Sequence, residues 1–251
     1  LERYATAQQV FVAGLVFARI AAMIMTMPGL GDQPAPARVR LSFALLMALV
    51  VAPVVAPSLP ATPPTLGQAS GDVIREVLLG LAIGAVLRTF LAGLATAGEI
   101  ISISTTLSFA QTANPTMAVQ GSSLMSFLTL LGVVLIMTTD LHHLFIGALV
   151  RSYTLFPYGR PPAVGDMTQL DIRAVSNAFA IGVQLAAPLL VFSLVFNVAT
   201  GLIGRAMPQF QIFFAATPLQ VLLGLSLFAL SLGTMGVFWV DRYRGLLGAF
   251  G

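Results

Sequence analysis

Between Arg173 and Asp241 the chain carries a single charge, Arg205, and the segments on either side of it, Ala174–Gly204 and Ala206–Val240, carry none. Such a stretch cannot cover itself with water-facing side chains, so its exterior must meet lipid or other protein. The rest of the chain has the same character. Hydrophobic residues make up 57% of the 251 residues and charged residues 8%, with a mean hydropathy of +0.94. Soluble domains carry roughly 25% charged residues. The length suits about five to eight helical spans, and the expected fold class is all-α and membrane-type.

The charge pattern excludes several function classes. All basic residues are arginine, scattered singly through apolar sequence, and the net charge is +3. Nucleic-acid binding needs a clustered basic face and is not expected. With no cysteine there is no disulfide framework, thiol nucleophile or zinc-thiolate site. The opening Leu1-Glu2-Arg3 is not followed by a short apolar run ending at a small-residue cleavage site, so no removable signal peptide is expected.

Apolar periodicity and breakers place the elements. Apolar runs cover Val10–Pro28 and Leu41–Pro57, with a turn-rich linker between them. Prolines 53, 57, 60, 63 and 64 predict a stiff extended loop over Ser58–Ser70. Val73–Gly98 reads as a helix whose Gly80 and Gly84 offer a small-residue face for close packing. Leu124–Thr139 and Leu144–Phe156 read as shorter helices, followed by a polar loop from Pro157 to about Arg173. Ala174–Gly204 would extend about 46 Å if fully helical, beyond the roughly 30 Å hydrocarbon core, with Pro188 the expected kink. Pro208 and Pro218 should break the last stretch, leaving Val221–Val240 as a clean span. Arginine placement favours both termini in the cytoplasm.

Arg19, Arg75, Glu76, Arg88, Glu99 and Arg205 lie within or beside apolar sequence. A charge at a bilayer centre costs roughly 2.5–3.5 kcal/mol on insertion scales, so these groups need partners or water. We read them as inter-helix or inter-subunit contacts. A proton pathway is the competing reading, but Glu99 is the one acid well inside apolar territory. Between Glu99 and Asp140 no residue is charged, yet Ser102–Ser123 is rich in Ser, Thr, Gln and Asn and is broken by Asn114-Pro115. Irregular backbone of that kind must be buried in protein or line a cavity.

Catalytic readings are thin. Gly29-Leu30-Gly31-Asp32 matches the string of intramembrane aspartyl proteases but has no second acid to share a proton. Gly121-Ser122-Ser123 with His142 or His143 lacks the glycine after the serine. Adjacent histidines should point to different helix faces, and beyond Asp140 no acid completes a metal site. No catalytic residue, cofactor or metal is expected.

Taken in order, several strings carry a resemblance. They are Arg19 with Pro28, Pro34 and Arg38-Val39-Arg40; Glu76 with Gly80 and Gly84; Gly98-Glu99-Ile100; Leu107-Ser108-Phe109-Ala110; and Asn114-Pro115. Further on come His143, Ser152 and Pro157, then Ala187-Pro188 and Gly204–Phe213, including Arg205 and Gln209, with Pro218. The chain resembles the FliR family, the export-gate subunits of flagellar type III secretion, whose injectisome relatives are called SctT. It differs from the usual pattern at Thr106-Leu107-Ser108, at Asn114-Pro115 and at Gln220.

The resemblance implies a FliP-like part over residues 1–165 and a FliQ-like long helical pair over 166–251. It implies one copy assembling with about five FliP-like and about four FliQ-like subunits in a helical cone, with an FlhB-like subunit nearby. The implied function is to form and seal a channel for unfolded exported proteins, without catalysis, in the bacterial inner membrane at the flagellar basal body. The alternative is a secondary transporter or ion channel. The segment Ser108–Gly121 resembles the family's pore plug, with Phe109, Asn114, Pro115 and Met117 as the occluding residues; a re-entrant packing loop is the plainer reading. Flexible Met and a Phe fill a bore against ions yet yield to a passing polypeptide. Arg19, Arg75, Glu76, Arg88, Glu99, Arg205 and Gln209 are the expected polar contacts.

Overall fold

A computed structural model describes residues 2–27, 36–58, 65–108, 122–158, 164–207 and 212–248. Among these residues the chain is all-α: α1 (Glu2–Thr26), α2 (Ala37–Val55), α3 (Leu66–Ser104), α4 (Ser123–Thr138), α5 (Leu141–Leu155), α6 (Val164–Ala206) and α7 (Ile212–Gly248). A single 3₁₀ turn, Ala56–Ser58, follows α2. Among the described residues five helices are long and apolar enough to cross a membrane, or six if α4 and α5 form one broken span.

The helices outrun the expected apolar stretches. Helix α3 begins at Leu66, inside the segment expected to be extended, and continues to Ser104. Thr65 and Gln68 mark that start, the Thr65 amide donating to the Gln68 side chain. Helix α6 begins at Val164 rather than after Arg173 and passes through Pro188 without a break. Helix α7 likewise contains Pro218. A proline forfeits one backbone hydrogen bond, and in helices of 43 and 37 residues the remaining ladder and the packed neighbours hold the axis.

The chain forms two compact units, Leu1–Phe90 with Asp140–Val175 and Leu246–Gly251, and Leu91–Thr139 with Ser176–Gly245. In the first, α1 packs on α2. Helix α2 buries Ala44, Ala48, Val51 and Val55, one stripe at 3.6 periodicity. Its opposite face leaves Leu46, Leu49, Val50 and Val54 exposed. Helix α1 meets α3 across glycines. A Cβ on Gly80 would overlap the Arg19 carbonyl oxygen and lie 2.8 Å from the Ala22 methyl; one on Gly84 would lie 2.9 Å from the Met23 carbonyl oxygen. This is the close small-residue approach expected of that face.

The second unit packs the C-terminal part of α3 with α4, α6 and α7. Gly93 and Gly182 let α3 and α6 approach closely: a Cβ on Gly93 would stand 2.9 Å from the Ala178 carbonyl oxygen, and one on Gly182 would stand 2.9 Å from the Gly93 carbonyl oxygen. Gly98 lies equally close to the backbone at Leu124 and Met125. The core is completed by Leu94, Ile101, Leu128, Ile136, Leu185 and Trp239. Outward, α6 exposes Val191, Leu194, Val195, Val198 and Leu202, and α7 exposes Leu222, Leu230 and Val237. Contiguous apolar faces of this extent belong against lipid or partner protein.

Candidate functional site

In the first unit the polar residues converge on Arg19. Its side chain is wholly buried on α1, and its own carbonyl is the backbone group that Gly80 of α3 approaches. The guanidinium donates from Nε to Glu76 Oε2 at 2.5 Å and from Nη2 to Glu76 Oε1 at 3.0 Å. Nη1 donates to Ser152 Oγ at 3.1 Å, and Nη2 also donates to the Phe156 carbonyl at 3.3 Å. The Tyr153 ring lies under it, 4.0 Å from guanidinium carbon to centroid. Four donor contacts and an aromatic face replace the water that a buried guanidinium loses. Ser152 passes the chain on, donating to the Leu149 carbonyl at 2.6 Å.

The next residues of α3 extend this node to the segment after α5. Arg75 Nη2 donates to the Pro157 carbonyl at 3.1 Å. The Tyr158 hydroxyl donates to Asp72 Oδ2. Desolvation first, and then the bond to the Asp72 carboxylate, pushes the Tyr158 hydroxyl up to about 12. Asp72, Arg75 and Glu76 are spaced three and four apart and so share one face of α3. Sequence reasoning named Arg19, Arg75 and Glu76 as contacts, and the structure brings all three to this face. Asp72, Tyr153 and Tyr158 were missed; the three-and-four spacing of Asp72 with Arg75 and Glu76 is the signal that marks the first.

In the second unit the polar contacts flank residues 109–121. Glu99 Oε2 accepts from the Ser122 amide at 3.2 Å. Ser122 Oγ caps α4 by accepting from the Met125 amide at 3.1 Å. On the other side, the buried Gln220 of α7 donates from Nε2 to the Ser104 carbonyl at 3.0 Å. Thr105 Oγ1 donates to the Ile101 carbonyl at 2.9 Å. Thr106 then turns the chain with φ of 57°, a left-handed conformation for a β-branched residue. The C-terminus of α3 at Ser104 and the N-terminus of α4 at Ser122 are thus held by side chains from α7 and α3. Phe109, Asn114, Pro115, Met117 and Gln209 lie outside the described residues.

Arg88 is exposed on α3. Arg205 is exposed in the last turn of α6, where a cation complements the helix dipole. Asp140, at φ of 57°, precedes α5 without capping it. Its carboxylate stands 3.7 Å from His143 Nδ1. Donor atoms of Asp140, His142 and His143 lie within 4.8 Å of one another, so the two histidines share a side of the turn rather than pointing apart.

Buried ion pairing, glycine-mediated crossings and outward apolar faces define a helical membrane protein whose polar side chains fix helices. This chain belongs to the family of bacterial export proteins, family 1, which matches residues 10–246. It is 60% identical over 250 residues to the flagellar biosynthetic protein FliR of Caulobacter vibrioides, covering 100% of both chains. It is 32% identical over 213 residues to FliR of Escherichia coli K12, covering 84% of this chain and 80% of that one. Over 236 residues it is 27% identical to FliR of Aquifex aeolicus, covering 94% and 91%. With its apolar helices, this makes the chain an inner-membrane subunit of the flagellar protein-export apparatus.

Proposed function

We propose that this chain is a non-catalytic core subunit of the type III export gate, present in one copy, that helps to form and seal the channel for unfolded proteins. The observation that carries the reading is the excess of apolar helix. The apolar stretches Asp171–Ala206 and Phe214–Gly245 are 36 and 32 residues long. They extend about 54 and 48 Å at 1.5 Å per residue, against a hydrocarbon core of about 30 Å. Tilt absorbs part of that excess; the remainder needs protein neighbours. The partners on this reading are FliP-like subunits (about five), FliQ-like subunits (about four) and an FlhB-like subunit, in a helical arrangement. Residues 1–165 take the FliP-like role and 166–251 the FliQ-like one.

The central segment is the seal. Ser108–Gly121 plugs the pore through Phe109, Asn114, Pro115 and Met117, and its lack of fixed charge lets varied polypeptides pass. Its neighbours support this role: Glu99 holds the Ser122 end and Gln220 the Ser104 end. Among the described residues each anchor is one hydrogen bond, firm enough to hold the end of a helix and weak enough to let go.

The test is assembly and leak together. Native mass spectrometry of the purified membrane complex should find one copy of this chain with several copies of small multi-helix partners. Deleting Ala113–Met117 should make assembled gates leaky to ions. A stable monomer that transports a solute, or an intact assembly with unchanged permeability after the deletion, would refute the reading.

A further inference from the structure

The chain has two histidines and no cysteine, so all its imidazole stands at one place, His142 and His143 in the first turn of α5. Asp140 precedes them in the same compact unit. Donor atoms of the three side chains lie within 4.8 Å of one another. The two rings stand 4.2 Å apart between centroids, and Asp140 Oδ1 stands 3.7 Å from His143 Nδ1.

The backbone makes this gathering. Asp140 is left-handed, at φ of 57°, a conformation that short polar side chains tolerate. A residue at this position ordinarily turns its oxygen to the amides of the first turn, as Ser122 does for α4. Asp140 makes no such capping bond, and its carboxylate faces His143 instead. The His143 amide donates to the Asp140 carbonyl at 3.1 Å and closes the turn. His142 Nδ1 is shielded from solvent and has no hydrogen-bond partner among the described residues. No hydrogen bond through that nitrogen commits the ring to a packing role.

Two imidazoles and a carboxylate are the donor set of an open zinc site, three protein ligands with water in the fourth position. With Zn–N bonds of about 2.0–2.1 Å, tetrahedral donors stand about 3.3 Å apart. Closing from 4.8 Å takes about 1.5 Å, which rotation of surface side chains supplies. Asp140 and His143 are free to rotate, being 78% and 68% exposed. Hard cations such as Mg2+ need a mostly oxygen shell, which two imidazoles do not provide.

We propose that Asp140, His142 and His143 bind one Zn2+ ion, which clamps the turn leading into α5. The ion ties the left-handed residue to the first turn of the helix that brings Ser152 and Tyr153 to Arg19.

The full-length chain in detergent, carried on a tag without histidine and stripped with chelator, should bind one Zn2+ per chain in titration calorimetry. His142→Ala and His143→Ala should each weaken binding at least about tenfold, and Asp140→Asn about fivefold. Excess Mg2+ should not displace the zinc. Zn2+ should raise the melting temperature of wild type but not of the variant carrying both His142→Ala and His143→Ala. Circular dichroism of that double variant without metal should match wild type, because the turn is exposed. In the assembled export complex, the same double variant should lower bound zinc by one ion per copy of this chain. Equal zinc binding in wild type and double variant would overturn the proposal, leaving an adventitious ion only. So would a wild-type chain that takes up no zinc, or an assembled complex whose zinc content the double variant leaves unchanged.

Discussion

Arg19 and Glu76 face each other across the α1–α3 crossing in a two-point ion pair, with nitrogen–oxygen distances of 2.5 and 3.0 Å and both side chains buried. The pair sits beside the Gly80 contact, so glycine sets the backbone separation that lets a short Glu reach the guanidinium. Ser152 and the Phe156 carbonyl then recruit α5 and the residue that follows it.

Glu76→Ala should destabilise the chain by about 3–5 kcal/mol, because it leaves the Arg19 charge buried and uncompensated. The double variant Arg19→Met with Glu76→Leu should recover most of that loss, since hydrophobic replacement of a buried pair is often neutral. Thermal unfolding of the detergent-solubilised chain, followed by circular dichroism, distinguishes the two. Equal loss in single and double variants would show that the pair itself supplies net stability.

Gly84→Val should be among the most damaging substitutions in α3. Even its Cβ would overlap Thr26 Oγ1 and press on the Met23 carbonyl, a backbone neighbour that cannot yield as a flexible side chain does. Gly14→Ala is the control, since its Cβ meets nothing within 4 Å and helix propensity favours Ala by about 0.5–1 kcal/mol. Membrane-inserted protein levels and melting temperature should fall for the first and hold or rise for the second.

Glu99→Ala and Gln220→Ala should each raise ion leak through assembled gates while the complex still forms. Each removes one hydrogen bond, to the Ser122 amide or the Ser104 carbonyl, at a cost of about 1–3 kcal/mol where the partner stays buried. Glu99→Gln keeps an acceptor and should leak less than Glu99→Ala. Conductance in planar bilayers reads the difference; leak equal to wild type in both alanine variants would detach these residues from the seal.

Tyr158→Phe tests the contact to Asp72. The hydroxyl is raised from 10.0 to about 12 in the folded chain, so folding favours its neutral form. The stability it contributes is full below pH 10 and declines as pH rises through about 12. The stability gap between wild type and Tyr158→Phe should therefore be constant at neutral pH and close over that alkaline window. Denaturation at a series of pH values measures it. A gap that widens there would reverse the assignment.

The class of fold was legible because charge is so scarce. A chain with charge-free runs such as Ala174–Gly204 has few ways to hide its backbone and its surface, and long helices satisfy both needs. The candidate contacts were legible one at a time: Arg19, Arg75, Glu76 and Glu99 stand out because isolated charges in apolar sequence require partners. Helix ends were not. Polar residues such as Thr168, Gln169 and Asp171 read as loop, yet α6 starts at Val164, because helix continues past the apolar span wherever its own ladder is the best backbone partner.

The sequence by itself therefore determined an all-α membrane chain, its small-residue helix face and its likeness to an export family. Which partner each buried charge takes was decided only in three dimensions. Arg19 and Glu76 are 57 positions apart, and Gln220 and Ser104 are 116 apart; no local pattern couples such residues. Helix crossings set by Gly80 and Gly84 bring the first pair together.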